Sequence, residues 1–277
     1  MKLGITIRNW GATATRDFVT ESAQIADRST LDAIWFNDHL GFPPGIENHP
    51  LPVPPDMGDI LDPLGFGTFL AGCTSRISFG TGVLVLPYRP EIVTQKLLTT
   101  IQVLSGNRFL LGIGAGYLDE EFQALGVDKS KRGKLTDSMI DMLRATSENE
   151  LIVANGQELY LKPKLTCPPI YIGGAPEIAI PRTVRCGDGW MPMGTMPEDL
   201  APFITDLHKQ GAQAGREGLE VVAMKTLPIE DPKAAVELAQ SYKEVGVTHL
   251  VHVQGYETTN QFAEVIDQIE RDIRTSV

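Results

Sequence analysis

Short β-prone apolar runs alternate with stretches of helical periodicity along the chain. The first run is Leu3–Arg8 (LGITIR). Behind it Phe18, Ser22, Ile25 and Ala26 share one helical face, with Thr15 placed to cap it. Asp32–Asn37 predicts a second strand, Leu61–Thr74 a helix, and Ile77–Leu86 a third strand interrupted by glycine. Val93, Leu97, Ile101 and Leu104 then form an apolar stripe at helical spacing. Arg108–Ala115 reads as a strand, and Lys134–Ala145 as a helix with Leu135, Met139, Met142 and Leu143 inward. Strands at Pro169–Gly173, Trp190–Met193, Leu219–Leu227 and Thr248–Val253 alternate with helices over Glu177–Cys186, Leu200–Gln213 and Lys233–Val245. Pro181 predicts a kink or a late start in the first of these. Phe262, Val265, Ile266, Ile269 and Ile273 mark a closing helix. Eight strands alternating with eight helical regions imply βαβ units and a parallel sheet. Over 277 residues that count is the arithmetic of one closed (β/α)8 barrel, an α/β TIM barrel spanning 1–277 as a single domain. An open doubly wound sheet usually places a Gly-rich turn after its first strand, and here that turn is Arg8-Asn9-Trp10.

Two segments stand outside this rhythm. Residues 41–59 are rich in proline and glycine and predict a long loop over the barrel mouth, a lid candidate. Residues 151–161 hold Asn155-Gly156 between two β-prone runs, the strongest local signal for a hairpin-like insertion.

Composition narrows the partners. Lys and Arg number 24 against 35 Asp and Glu, a formal charge of −11, so the basic footprint of a nucleic-acid binder is missing. No apolar window approaches the ~18 residues of a membrane span. Cys73, Cys167 and Cys186 are too few and too scattered for a disulfide framework, which points to the cytoplasm.

Candidate chemistry gathers at strand ends, where barrels carry their catalytic groups. The second strand ends Trp35-Phe36-Asn37-Asp38-His39, and a histidine there can act as acid, base or hydrogen-bond donor. The alternative is an Asp that caps the loop and a His that packs on Trp35. The third strand reads Gly80-Thr81-Gly82-Val83-Leu84, which marks a bulge, a close approach by a flat ligand, or a bend that barrel curvature requires. The fourth ends Gly112-Ile113-Gly114-Ala115-Gly116-Tyr117, and the fifth ends Gly173-Gly174-Ala175 at a helix start. Both are suited to an anion, the second as a helix N-terminus, although glycines also ease tight corners. Ten of the 27 glycines fall near the ends of strands three to six, namely Gly80, Gly82, Gly112, Gly114, Gly116, Gly173, Gly174, Gly187, Gly189 and Gly194. His249 and His252, three apart on a strand, face opposite ways and predict no metal site.

Taken in order, these motifs resemble the luciferase-like monooxygenase superfamily, in the branch that includes coenzyme F420-dependent oxidoreductases. The carrying segments are Trp35–Leu40, Arg76–Pro87, Gln102–Gly126, Arg132-Gly133 and Pro169–Met193. The resemblance implies a bacterial luciferase-like barrel that binds F420 or flavin mononucleotide (FMN), with F420 slightly preferred, and a homodimer joined through the helices after strands two and three. Asp38 and His39 match a pair lining the flavin edge. Gly82–Val83 matches a non-prolyl cis peptide against the central ring, with Thr81 beside it. Gly114, Ala115 and Gly116, with Gly173, Gly174 and Ala175, match the phosphate cradle. His39 and then Tyr117 are the catalytic candidates. Relatives that oxidise sugar phosphates carry an acidic residue at the position of Tyr117, and a phenol is a poor acid near neutral pH unless its pKa is depressed. The implied activity is hydride transfer to, or oxygen activation on, a small organic substrate. A non-catalytic flavin-binding barrel and a flavin-independent barrel enzyme for a phosphorylated substrate stand as alternatives.

Overall fold

The structure, a computed structural model, describes residues 1–46 and 55–277. Among the described residues ten strands occur in chain order: β1 (Lys2–Thr6), β2 (Ala33–Phe36), β3 (Ser78–Val85), β4 (Phe109–Gly114), β5 (Leu151–Ala154), β6 (Gln157–Tyr160), β7 (Ile170–Gly173), β8 (Gly189–Met191), β9 (Glu220–Lys225) and β10 (His249–His252). Eight of them close into an all-parallel barrel in which β1 pairs with both β2 and β10. β5 and β6 form an antiparallel hairpin apart from the barrel sheet, with Asn155 and Gly156 both at positive φ. That geometry belongs to the mirror-image two-residue turns whose twist suits a hairpin.

The helices are α1 (Arg16–Arg28), α2 (Pro63–Cys73), α3 (Glu91–Ser105), α4 (Asp119–Leu125), α5 (Arg132–Glu148), α6 (Pro176–Cys186), α7 (Pro197–Gln213), α8 (Pro232–Glu244) and α9 (Thr259–Gln268). Side-chain caps start four of them, since Thr15, Asp62, Asp231 and Thr258 each accept a backbone N–H from the first turn. One apolar layer lies between strands and helices. A second fills the barrel, where Trp35, Tyr171, Met191 and Met224 pack together. These large side chains need bare backbone around them. A Cβ on Gly4 would stand 2.9 Å from Trp35 Nε1, and one on Gly112 would stand 3.0 Å from Met191 Sδ and 2.0 Å from the Thr81 carbonyl oxygen.

Several expectations need correction. The stripe on α3 faces outward at Val93, Leu97 and Leu104, and only Ile101 of the four is buried. The inner face carries Gln95, Thr99 and Gln102 beside Leu98 and Ile101; Thr99 donates to the Gln95 carbonyl of its own helix, and tertiary partners satisfy the two glutamines. Gln102 donates to the Thr166 carbonyl and accepts from the Phe109 N–H, and Gln95 accepts from Thr146. Leu135 is likewise outward. α4 was not predicted at all, being short and mostly acidic. α6 starts at Pro176, so Pro181 falls inside the helix and no late start occurs. The proposed lid over 41–59 lies partly outside the described residues.

Side-chain clamps hold the strand ends in place. Asn9 is fully buried; its Nδ2 donates to the carbonyls of Asn37 and Leu61, and its Oδ1 accepts from the Asn37 N–H. Arg89, just past β3, grips Asp38 with two nitrogens at 2.6 and 2.8 Å and reaches Asp62, the cap of α2, at 2.7 Å. Burial pushes the Asp38 carboxyl upward against the pull of Arg89 and the Val85 N–H. Burial also works against the charge on Arg89, yet the two carboxylates outweigh it and raise the guanidinium. At the opposite end of the barrel Asp27 accepts from the N–H groups of Ser75, Arg76 and Ile77 and from the Ser75 hydroxyl at 2.8–2.9 Å.

Two outcomes are expected. Burial raises the Asp27 carboxyl, but its donors outweigh burial and bring it from 3.8 to about 2. The stability it contributes is present above the unfolded value and is lost as pH falls through about 2. Asp27→Asn therefore flattens the acid limb of a Tm-against-pH curve, and an unchanged limb would contradict the assignment. Arg89→Met leaves a buried carboxylate without its cation and is expected to cost ~3–5 kcal/mol in urea unfolding. Adding Asp38→Asn to that variant is expected to recover part of the loss.

Candidate active site

The three polar residues at the end of β2 each do a different job. Asn37 donates from Nδ2 to the Gly82 carbonyl at 3.3 Å. Asp38 accepts from the Val85 N–H at 2.8 Å. Between these two anchors β3 loses register with β4, from Thr81 to Leu84, and the Gly82–Val83 peptide is cis. The Val83 side chain rests against the ends of β4 and β7. A Cβ on Gly114 would stand 2.5 Å from Val83 Cγ2, and one on Gly173 would stand 2.8 Å from Cγ1. Glycine at both positions is what lets the bulge settle there.

His39, the third residue, is buried. Its Nδ1 lies 3.0 Å from Glu121 Oε2, and its Nε2 lies 3.4 Å from the Tyr117 hydroxyl. Glu121 also accepts from the Tyr88 hydroxyl at 2.7 Å and from the Leu40 N–H at 2.6 Å. Burial raises the Glu121 carboxyl, but the bonds from His39, Tyr88 and Leu40 outweigh it and hold it below the ordinary carboxylate value. Glu121 is thus an ionised acceptor deep in the protein. Tyr117 is 44% exposed, and burial followed by the charge on Glu121 raises its phenol. The depressed pKa that would make Tyr117 a competent acid near neutral pH is therefore not found. Its hydroxyl can still pass a proton between His39 and the barrel mouth.

Beside the bulge lies a cavity of about 330 Å³. Its wall includes Gly82, Val83, Gly173, Gly174, Ala175 and three methionines, Met191, Met193 and Met224. Gly174 has φ +122 and open space where a Cβ would stand, and Ala175 stands at the N-terminal boundary of α6 with no side-chain cap. A bare turn that leads into a helix N-terminus suits a phosphate, and the thioethers beside it suit a flat, polarisable ring. The residues present fit a flavin or deazaflavin phosphoester.

Of the sequence-predicted residues, Gly82, Val83, Gly173, Gly174 and Ala175 meet in this cavity, while His39, after β2, and Tyr117, after β4, meet each other and do not line it. Five others are placed differently. The side chain of Asp38 has no exposed surface and is spent on Arg89 and Val85, so it positions the site and offers a ligand nothing. The Thr81 hydroxyl donates to the Gly112 carbonyl inside the barrel. Gly114 makes room for Val83, and Gly116, at φ +82, turns the chain toward α4 against Val85 and Phe122. Gly114, Ala115 and Gly116 do not line the cavity. Sequence reading missed Asn37, Arg89, the methionine wall and above all Glu121. A usable signal existed: Leu118 and Phe122 set the buried face of α4, and Glu121 falls on it.

The family model for the luciferase-like monooxygenases matches residues 1–275. An uncharacterized protein of Mycobacterium tuberculosis is 32% identical over 153 residues, 53% of this chain and 53% of that protein. The chain thus spans about half the length of the first curated relatives it matches. The F420-dependent glucose-6-phosphate dehydrogenase of Amycolatopsis mediterranei is 28% identical over 245 residues, 82% of this chain and 65% of that enzyme. Among solved structures, a monooxygenase from Streptomyces bottropensis superposes with a TM-score of 0.82 at 14% identity, covering 99% of each chain. The oxygenating constituent of an FMN-bound diketocamphane monooxygenase from Pseudomonas putida gives 0.75 at 12% identity, covering 100% of this chain and 99% of that one. At such identities the structures share the fold, and the model match carries the family: this chain belongs to the luciferase-like monooxygenases.

Proposed function

We propose that the protein is an oxidoreductase that uses a flavin or deazaflavin to act on a small organic substrate, with coenzyme F420 the preferred cofactor and FMN the second reading. The observation that carries this reading is the clamped Gly82–Val83 bulge and the bare Gly173–Ala175 turn facing one cavity, with a carboxylate-held histidine at the end of β2. F420 is preferred because a relative that uses it aligns along 82% of the chain. FMN is favoured by the fold shared with the FMN-bound enzyme.

The bound cofactor supplies hydride transfer or oxygen chemistry. The chain's own residues do the rest. Gly173, Gly174 and Ala175 receive the phosphate at the start of α6, and Gly82 and Val83 support the ring. Met191, Met193 and Met224 exclude water from it. His39 Nε2 holds or releases the proton on the substrate oxygen, and the Tyr117 hydroxyl relays it. Three free cysteines fit a cytoplasmic protein, and the excess of acidic residues disfavours nucleic acid as a partner. The protein acts as a homodimer joined through α2 and α3, where Phe69, Val93, Leu97, Val103 and Leu104 expose apolar surface.

Apo-protein titrated with F420 and with FMN is expected to bind F420 more tightly; binding of neither would sink the reading. With the cofactor loaded, His39→Ala is expected to lower kcat ~10²–10⁴-fold, the range for a positioned acid or base, while cofactor affinity stays near wild type. For the assembly, Leu104→Glu is expected to shift the sedimentation coefficient from dimer to monomer. A monomeric wild-type protein would refute the dimer.

A further inference from the structure

We propose that Glu121 is the positioning residue of this site: it fixes His39 in the tautomer with its proton on Nδ1, so that Nε2 is the atom free to exchange a proton with Tyr117. The use made of that proton rests on the functional reading above. The tautomer itself is a property of the chain alone.

The geometry leaves His39 little choice. Glu121 is 3% exposed and accepts on both oxygens. Oε1 takes the N–H of Leu40 at 2.6 Å and that of Gly41 at 3.4 Å, while Oε2 takes the Tyr88 hydroxyl and faces His39 Nδ1. The carboxylate therefore grips the imidazole and also the backbone that follows it. An ionised carboxylate only accepts, so the ring nitrogen facing it must donate, and in the neutral ring the other nitrogen is then bare. The ring is also boxed in by Phe42 and Tyr117, with centroids 4.7 and 5.6 Å away.

The hydroxyls on either side keep their protons. Burial and the hydrogen bond to Glu121 raise the Tyr88 phenol, so it remains a donor to the carboxylate. Tyr88 is itself held edge-to-face on Phe122, one residue beyond Glu121. Tyr117 is raised as well, so it hands on a proton by accepting one as it gives one up. The four groups form a chain from the barrel mouth inward: Tyr117, His39, Glu121, Tyr88. Asp119 and Glu120, the acidic neighbours on α4, are exposed and outside this chain. Carboxylates that orient the imidazole ligands of metal sites in this way typically matter ~10–100-fold when removed, and the same order is expected here.

The test reads the ring directly. Long-range ¹H–¹⁵N correlation spectra of labelled apo-protein distinguish the two neutral tautomers, and His39→Gln assigns the signal. Wild type is expected to show the Nδ1–H tautomer; an Nε2–H ring would overturn the proposal without any variant. Glu121→Gln is expected to bring in the Nε2–H form, because the amide can present its NH₂ to Nδ1, whereas Tyr88→Phe keeps the carboxylate and the tautomer. A folded Glu121→Gln protein with an unchanged tautomer would also overturn it. In the loaded enzyme Glu121→Gln is expected to lower kcat ~10–100-fold with substrate KM near wild type, and Glu121→Asp to restore part of that loss. A purely structural role would lower Tm and leave the tautomer alone. Failure of F420 and FMN to bind would remove the functional reading and leave the tautomer result standing, so the two failures are distinguishable.

Discussion

Burying the carboxylate of Asp38 completely creates a demand that only a fixed cation can meet, and much of the barrel mouth is arranged around meeting it. Arg89 answers with both terminal nitrogens, and one of them continues to Asp62 at the head of α2. One guanidinium thereby joins the end of β2, the segment just past β3 and the first turn of a helix. The second Asp38 oxygen also holds the Val85 N–H, which fixes the far side of the bulge whose near side Asn37 holds. The wall of the cavity is thus set by an ion pair that never touches the cavity.

The same stretch of chain shows how far sequence reading reaches. The barrel was legible because each strand is a short apolar run and each helix has its own periodicity, and both signals are local. Asn155-Gly156 was legible for the same reason. α3 was misread because apolar residues at helical spacing occur on its outer face, while the inner face carries glutamines and threonines. The threonines bond back to carbonyls four residues earlier, while the glutamines rely on partners on α5 and the segment before β7, more than 50 residues away. His39 stood out by residue type and place. Glu121 did not, since it sits in a run of three acidic residues and only the burial of one α4 face singles it out.

The glycines carry two messages that composition merges. Gly4 and Gly112 are bare because a tryptophan and a methionine fill the barrel across from them. Gly114 and Gly173 are bare because Val83 leans on them. Only Gly82, Gly173 and Gly174 border the cavity. Clustering of glycine at strand ends therefore merges the two ends of the barrel, since Gly187 and Gly189 stand at the start of β8, and it assigns more glycines to a ligand than the packing leaves available.

The seam between β1 and β10 sets a schedule for the chain's birth. Lys2 pairs with His249 and Ile5 with His252, so the barrel's first strand to be made waits for the barrel's last. Until then β1 has one free edge, and Trp35 and Tyr171 have no closed interior to fill. Domains with such distant pairings fold late and expose strand edges meanwhile. For this protein, the interval between the synthesis of residue 6 and that of residue 252 is a period of vulnerability that a chaperone would be well placed to cover.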